Sequence, residues 1–218
     1  MRKVLLMIAL VACGGDDDNN NNDAGPGSDG GRPVLALNCD TYCTTIMANC
    51  TGANAQYQDM NECLGTCSGF PPGAAATETS GNTLGCRIYH AQNAMVLNDA
   101  ATHCPHAGPP GGKVDSAGTC GDPCVSFCAL EEKICGTDAA PVTGVTNRYT
   151  SVAACTTACA GFNKTVQYSP TAPNGDTFAC RVNHLTNAGT YKQTNDVMLQ
   201  NTHCSHTLSP APMVCRNP

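Results

Sequence analysis

Sixteen of the 17 cysteines of this chain fall into two ordered sets of eight. The first set is Cys39, Cys43, Cys50, Cys63, Cys67, Cys86, Cys104 and Cys120; the second is Cys124, Cys128, Cys135, Cys155, Cys159, Cys180, Cys204 and Cys215. Both read C-x3-C-x6-C, then a second C-x3-C, then three cysteines at wider intervals. An ordered pattern of that length, recurring with the same opening gaps, is an internal duplication. Other residues keep the register: Tyr57 with Tyr149, Gly69-Phe70 with Gly161-Phe162, Thr83 with Thr177. The chain therefore divides into a first module over 34–121 and a second over 122–218, with Gly121-Asp122-Pro123 at the junction.

The seventeenth cysteine sits in a different context. Arg2 and Lys3 precede an apolar run over 4–11 that is too short to be a permanent transmembrane helix, which needs about 20 residues. The run ends in Leu10-Val11-Ala12-Cys13, which resembles the lipobox of bacterial lipoproteins. That resemblance implies a signal peptide over 1–12, removed before Cys13, and lipid chains on Cys13 that hold the protein to a membrane. Gly14 follows the acceptor cysteine, and the resemblance then favours the outer membrane or cell surface. Residues 13–33 supply no apolar side chain larger than alanine before Pro33, so they are expected to stay a solvated tether. Such a tether has an end-to-end distance of about 25 Å. Asp16, Asp18 and Asn20 alternate as in a calcium loop, but Asn21 stands where an EF-hand loop needs glycine.

Export makes an even cysteine count a disulfide framework, and the C-x2-C pairs typical of thiolate zinc sites are missing. C-x3-C puts two cysteines on one helix face, one turn apart. Two antiparallel helices can then be stapled twice, which predicts Cys39–Cys67 and Cys43–Cys63, and likewise Cys124–Cys159 and Cys128–Cys155. Helix starts are expected at Asn38, at Asp59 with Glu62 three residues on, at Asp122-Pro123, and at Thr83 and Thr177. The fold class is thus all-α: tandem disulfide-rich modules, each of about three helices and a cysteine-pinned tail. The remaining pairs stay open, since eight cysteines allow 105 connectivities, with Cys50–Cys86 and Cys104–Cys120 as one choice. With no Trp and four Phe, cores of this size need such cross-links. The hairpins resemble those of the small mitochondrial intermembrane-space chaperones, and the full pattern resembles uncharacterised Cys/His-rich repeats of Gram-negative surface lipoproteins. Neither resemblance implies an activity.

All six histidines occur in matched motifs. Cys86-Arg87-Ile88-Tyr89-His90 is followed by Thr102-His103-Cys104-Pro105-His106; Cys180-Arg181-Val182-Asn183-His184 is followed by Thr202-His203-Cys204-Ser205-His206. Two readings stand side by side. In the first, His90 and His184 lie on the buried face of Cys86 and Cys180 and hydrogen-bond a carbonyl, while Arg87 and Arg181 meet a carboxylate or a helix end. In the second, each triad (His90, His103, His106; His184, His203, His206) holds Zn, Cu or a non-covalent haem. The second requires the third helix to fold back on the tail.

No G-x-S-x-G elbow, phosphate loop or H-E-x-x-H occurs, so no catalytic residue is assigned and an enzyme is the less favoured class. Without the two basic residues of the signal segment, nine basic side chains face 17 acidic ones. That balance disfavours nucleic acid and anionic membrane surfaces as partners. The expected role is that of a lipid-anchored binding or structural protein of the cell envelope, its partners the membrane and an envelope or extracellular protein. The alternative is a metal- or haem-carrying redox accessory.

Overall fold

The computed structural model describes residues 33–171, 175–210 and 215. The signal segment, Cys13 and the tether to residue 32 lie outside the described residues. Residues from Val34 onward form one compact unit. It is all-helical: α1 (Cys39–Asn49), a 3-10 turn (Gly52–Asn54), α2 (Met60–Cys67), α3 (Leu84–Val96), α4 (Ala100–Ala107), α5 (Pro123–Ile134), α6 (Val152–Ala160), α7 (Phe178–Gln193) and α8 (Val197–Ser205). Among the described residues the only β pairing consists of isolated bridges, and no helix is long and apolar enough to cross a membrane.

Each helix begins where a short polar side chain can take up free backbone N–H groups. Asn38 accepts from Thr41 N, Asp59 from Glu62 N, Thr83 from Cys86 N, Asp122 from Cys124 N and Thr177 from Cys180 N. Two further caps lie where no helix was expected: Asp99 accepts from Thr102 N, and Asp196 from Leu199 N. They open α4 and α8, so each module has four helices, and the pinned tail is itself largely helical.

That fourth helix corrects two disulfide assignments. The hairpin staples are present as expected: Cys39–Cys67, Cys43–Cys63, Cys124–Cys159 and Cys128–Cys155. Cys50, however, bonds Cys104, and Cys86 bonds Cys120, with Cys135–Cys204 and Cys180–Cys215 in the second copy. The pairings Cys50–Cys86 and Cys104–Cys120 fail because α4 doubles back along α3 and also meets α1. Cys104 on α4 then lies at the C-terminal end of α1, where Cys50 caps the helix. Cys86 is left to capture the chain returning at Cys120.

Arg87 and Arg181 are fully buried by a device that the sequence reading missed. Each guanidinium lies 4.0 Å from the centre of an aromatic ring, Arg87 over Phe70 and Arg181 over Phe162. Each also donates back to the cap of its own helix, at Thr83 O and Thr177 O. Among the described residues only Arg181 finds a carboxylate, Asp176, at 2.6 Å. The recurring Gly-Phe pair is thus the apolar lid of a buried cation.

The two copies are fused through α2 and α7. At their crossing a Cβ on Gly65 would lie 2.4 Å from the carbonyl oxygen of Gly189. One turn away the Thr186 hydroxyl donates to the buried Glu62 carboxylate at 2.5 Å. Tyr168 OH, donating to Gln56 O at 3.0 Å, ties the same seam. Gly65→Ala must therefore push two helix backbones apart. We expect a loss of about 1–3 kcal/mol of stability, read as a lower urea midpoint, whereas Gly161→Ala, whose added Cβ meets its nearest atom only at 3.5 Å, changes it little.

The copies differ where α1 and α5 face the last helix. Ile46 and Ala107 of the first copy correspond to Glu131 and Thr207 of the second. The Thr207 hydroxyl donates to Glu131 Oε1 at 2.8 Å, and Oε2 is buried with no partner among the described residues. Burial pushes this carboxyl up to about 8. The folded chain thus keeps a proton that the unfolded chain releases near the ordinary carboxylate value, so raising the pH through that window favours unfolding. Glu131→Gln should flatten this decline between pH 5 and pH 8. At pH 7 it should add on the order of 2 kcal/mol, measured by urea denaturation at each pH.

Candidate metal centres

α3 carries His90 one turn after Cys86, on the helix face that the Cys86–Cys120 bond holds inward. α4 carries His103 and His106 on either side of Cys104, which is tied to Cys50. Between the helices the chain reverses through Asn98 at φ 52°, and in the second copy through Asn195 at φ 57°. Asparagine tolerates this left-handed backbone better than most side chains. The reversal lays α4 along α3 and α8 along α7, and so meets the geometric requirement of a shared histidine site.

Both triads converge. His90 Nδ1 and His103 Nδ1 are 2.8 Å apart. In the second copy His184 Nδ1 lies 2.9 Å from His203 Nδ1 and 3.3 Å from His206 Nδ1. Within each triad one nitrogen per residue lies within 4.8 Å of the other two. The rings stand at matching angles, His90 and His103 near parallel at 28° and His106 across them at 84° and 87°. A tetrahedral ion with metal–nitrogen bonds of 2.0–2.1 Å sets its ligand nitrogens about 3.3 Å apart. The observed spacings are close enough that small ring rotations would seat such an ion.

The site also keeps its imidazoles in the form that binds metal. Burial holds His90 down at about 4, with the neighbouring His106 and His103 adding to the shift against a hydrogen bond to Thr79 that opposes it. Burial likewise holds His184 down at about 3 and His203 at about 4, and lowers His106 and His206. These rings are neutral at pH 7, so a metal has no proton to displace from them.

The geometry at His90 fits the structural reading and is compatible with the metal one. Its Nε2–H donates to the Thr79 carbonyl at 3.1 Å, as a buried structural histidine would. That same bond leaves Nδ1 with its lone pair facing the other two rings. Around His106, Thr119 Oγ1 lies 3.2 Å from Nε2, and Nδ1 is buried without a hydrogen-bond partner among the described residues. Aromatic rings complete the surroundings, Tyr89 edge-on to His90 and Tyr191 stacked on His203, both at 5.2 Å. Sequence reasoning missed Thr79, because a backbone carbonyl leaves no residue signature. It missed Tyr191 because the first copy has Leu97 at the matching position.

Two chemistries are narrowed by this geometry. Cys86 and Cys120 lie within reach of His90, as Cys180 and Cys215 do of His184, but their sulfurs are bound to each other and offer no thiolate. Haem does not fit: imidazoles in mutual contact leave no plane between them for a macrocycle, which needs a cleft of several hundred Å3. A cleft of about 110 Å3 lies elsewhere, lined by Gln56, Pro105, Lys113 and Tyr168 among others. Zinc and copper remain as the ions suited to three imidazoles.

The family model described as the BfoA family C-terminal domain matches residues 34–126, the first module and the opening of α5. The chain is similar to the Aurasperone B biosynthesis cluster protein A of Aspergillus niger, 40% identical over 88 residues that cover 40% of this chain and 28% of that protein. It is also similar to the Bifonsecin B biosynthesis cluster protein A of Aspergillus brasiliensis, 39% identical over 88 residues covering 40% of this chain and 29% of that protein. The chain thus spans under a third of the length of these relatives. No solved structure matches it.

Proposed function

We propose that this chain is a metal-binding accessory protein in which each module holds one zinc or copper ion through three imidazoles. The observation that carries this reading is the convergence of Nδ1 atoms in both copies, at 2.8 Å and 2.9 Å for the leading pair. Two copies that differ in much of their sequence keep the same three ligands in the same arrangement. Three protein ligands leave a fourth position to water or to an incoming donor, and the half-buried His103, His106, His203 and His206 put that position near solvent. Such a site suits carrying or passing on an ion better than locking one away.

The similarity to proteins named for the aurasperone B and bifonsecin B biosynthesis clusters supports an accessory part beside secondary-metabolite enzymes. The lipobox-like run Leu10-Val11-Ala12-Cys13 supports a lipid-anchored place in the cell envelope, where the modules also meet any envelope partner.

Titration of purified, unchelated protein with Zn(II) or Cu(II) is expected to reach two ions per chain. Saturation should stabilise the fold by about 2.7 kcal/mol per site at a free metal concentration of 100 times Kd. His90→Ala combined with His184→Ala should abolish both effects, and protein that takes up no stoichiometric metal would refute the reading. The anchor is checked separately: labelled palmitate should enter the wild-type chain in a bacterial host and be lost in Cys13→Ser.

A further inference from the structure

The helical hairpin that carries the second triad is longer than its counterpart. α7 runs over 16 residues and α3 over 13. Three more residues separate His184 from the reversal at Asn195 than separate His90 from Asn98, and three more separate Asp196 from His203 than separate Asp99 from His103. At a rise of about 1.5 Å per residue, each arm gains about 4.5 Å of helix between its histidine and the turn. Tyr191 stands in that added length.

The backbone of Tyr191 is pinned by the reversal, because its carbonyl accepts from Asp196 N at 2.9 Å and from the Thr194 hydroxyl at 3.2 Å. Its ring reaches across to α8 and stacks on His203, with 5.2 Å between centroids and 24° between planes. Offset aromatic pairs attract at this separation. His203 is a ligand that needs such support. It is only half-buried, on a helix of nine residues, and its Nδ1 must stay aimed at His184 Nδ1, 2.9 Å away. The matching position in the first copy is Leu97 when counted from Cys86 and Ala94 when counted back from the turn, where Asp99 N bonds Ala94 O as Asp196 N bonds Tyr191 O. The tyrosine is therefore a feature of the second copy and not a requirement of the fold that the two share.

We infer that Tyr191 is a positioning residue for the second metal centre, its ring holding His203 in the ligating orientation and slowing loss of the bound ion, an inference that rests on the metal-binding reading above. An ion held by three imidazoles leaves stepwise, and the first step is one ring swinging off. His184 is buried on α7, so the half-buried rings His203 and His206 are the ones with room to swing. For His203 that swing breaks the stack on Tyr191 as well as the metal–nitrogen bond. A stacked aromatic pair is worth about 2- to 10-fold in an equilibrium constant, and the release rate carries that factor. The second module thereby keeps its ion for longer than three imidazoles alone would.

The experiment uses the full chain carrying His103→Ala, which removes a ligand of the first triad, loaded with one equivalent of Zn(II) and mixed with excess chelator. Adding Tyr191→Leu is expected to release zinc about 2- to 10-fold faster, with little change in the urea midpoint of the metal-free chain. Tyr191→Phe, which keeps the ring, should release at the parent rate. Cross-relaxation between the ring protons of Tyr191 and His203 in the zinc-loaded wild type tests the contact without any variant. Equal release from all three chains, Tyr191→Phe as fast as Tyr191→Leu, or no contact between the two rings would overturn the inference and leave metal binding standing. A wild-type chain that takes up no zinc in either module would overturn the metal-binding reading and the inference with it.

Discussion

The bond between the end of α1 and the middle of α4 sets the geometry of everything near the site. Cys104 lies between His103 and His106, and its link to Cys50 closes a loop of 54 residues; Cys135–Cys204 closes one of 69 in the second copy. In chain-entropy terms each contributes about 4 kcal/mol. Its larger effect is positional. A helix of eight residues has little intrinsic stability, and α4 is no longer than that. Without the cross-link, two of the three imidazoles in the triad would sit on a segment free to fray. The hairpin staples make the module fold, and this third bond fixes where the ligands point.

Much of this was legible in the sequence, for identifiable reasons. C-x3-C is a statement about helical periodicity, so it yielded both the hairpins and their pairing. Asn38, Asp59, Thr83, Asp122 and Thr177 announce helix starts through a mechanism local to a few residues, and each proved to be a cap. The fourth helix was not expected, although Asp99 and Asp196 carried the same capping signal. Missing that helix led to the wrong partners for Cys50 and Cys86. The convergence of the histidines could be posed as a condition on how α3 meets the tail but not decided, because it depends on the turn at Asn98 and on packing against α1. The acceptors at Thr79 and Thr119 were out of reach for a related reason: one is main chain, and the other is 13 residues from its histidine.

The duplication also shows what each position is for. The cysteines, the arginine and its phenylalanine, the capping threonine and the three histidines persist in both copies, and each has a contact in the structure that only its own side chain supplies. Elsewhere the copies have drifted in a coupled way. Ile46 and Ala107 became, or came from, Glu131 and Thr207, an apolar pair exchanged for a hydrogen-bonded one that leaves a carboxylate oxygen with no partner among the described residues. At the seam between the copies, Gly65 and Gly189 admit a backbone approach that any larger residue would block.

The pairing of Cys86 with Cys120, and of Cys180 with Cys215, decides more than shape. These sulfurs lie beside His90 and His184, and as thiolates they would be stronger, softer ligands than those imidazoles. A chain that met metal before its thiols were oxidised would be filled through sulfur and trapped away from its native pairing. Under the proposed function, the order in which oxidant and metal reach the newly made chain would select the ion it carries, and the place where it folds would become part of its chemistry.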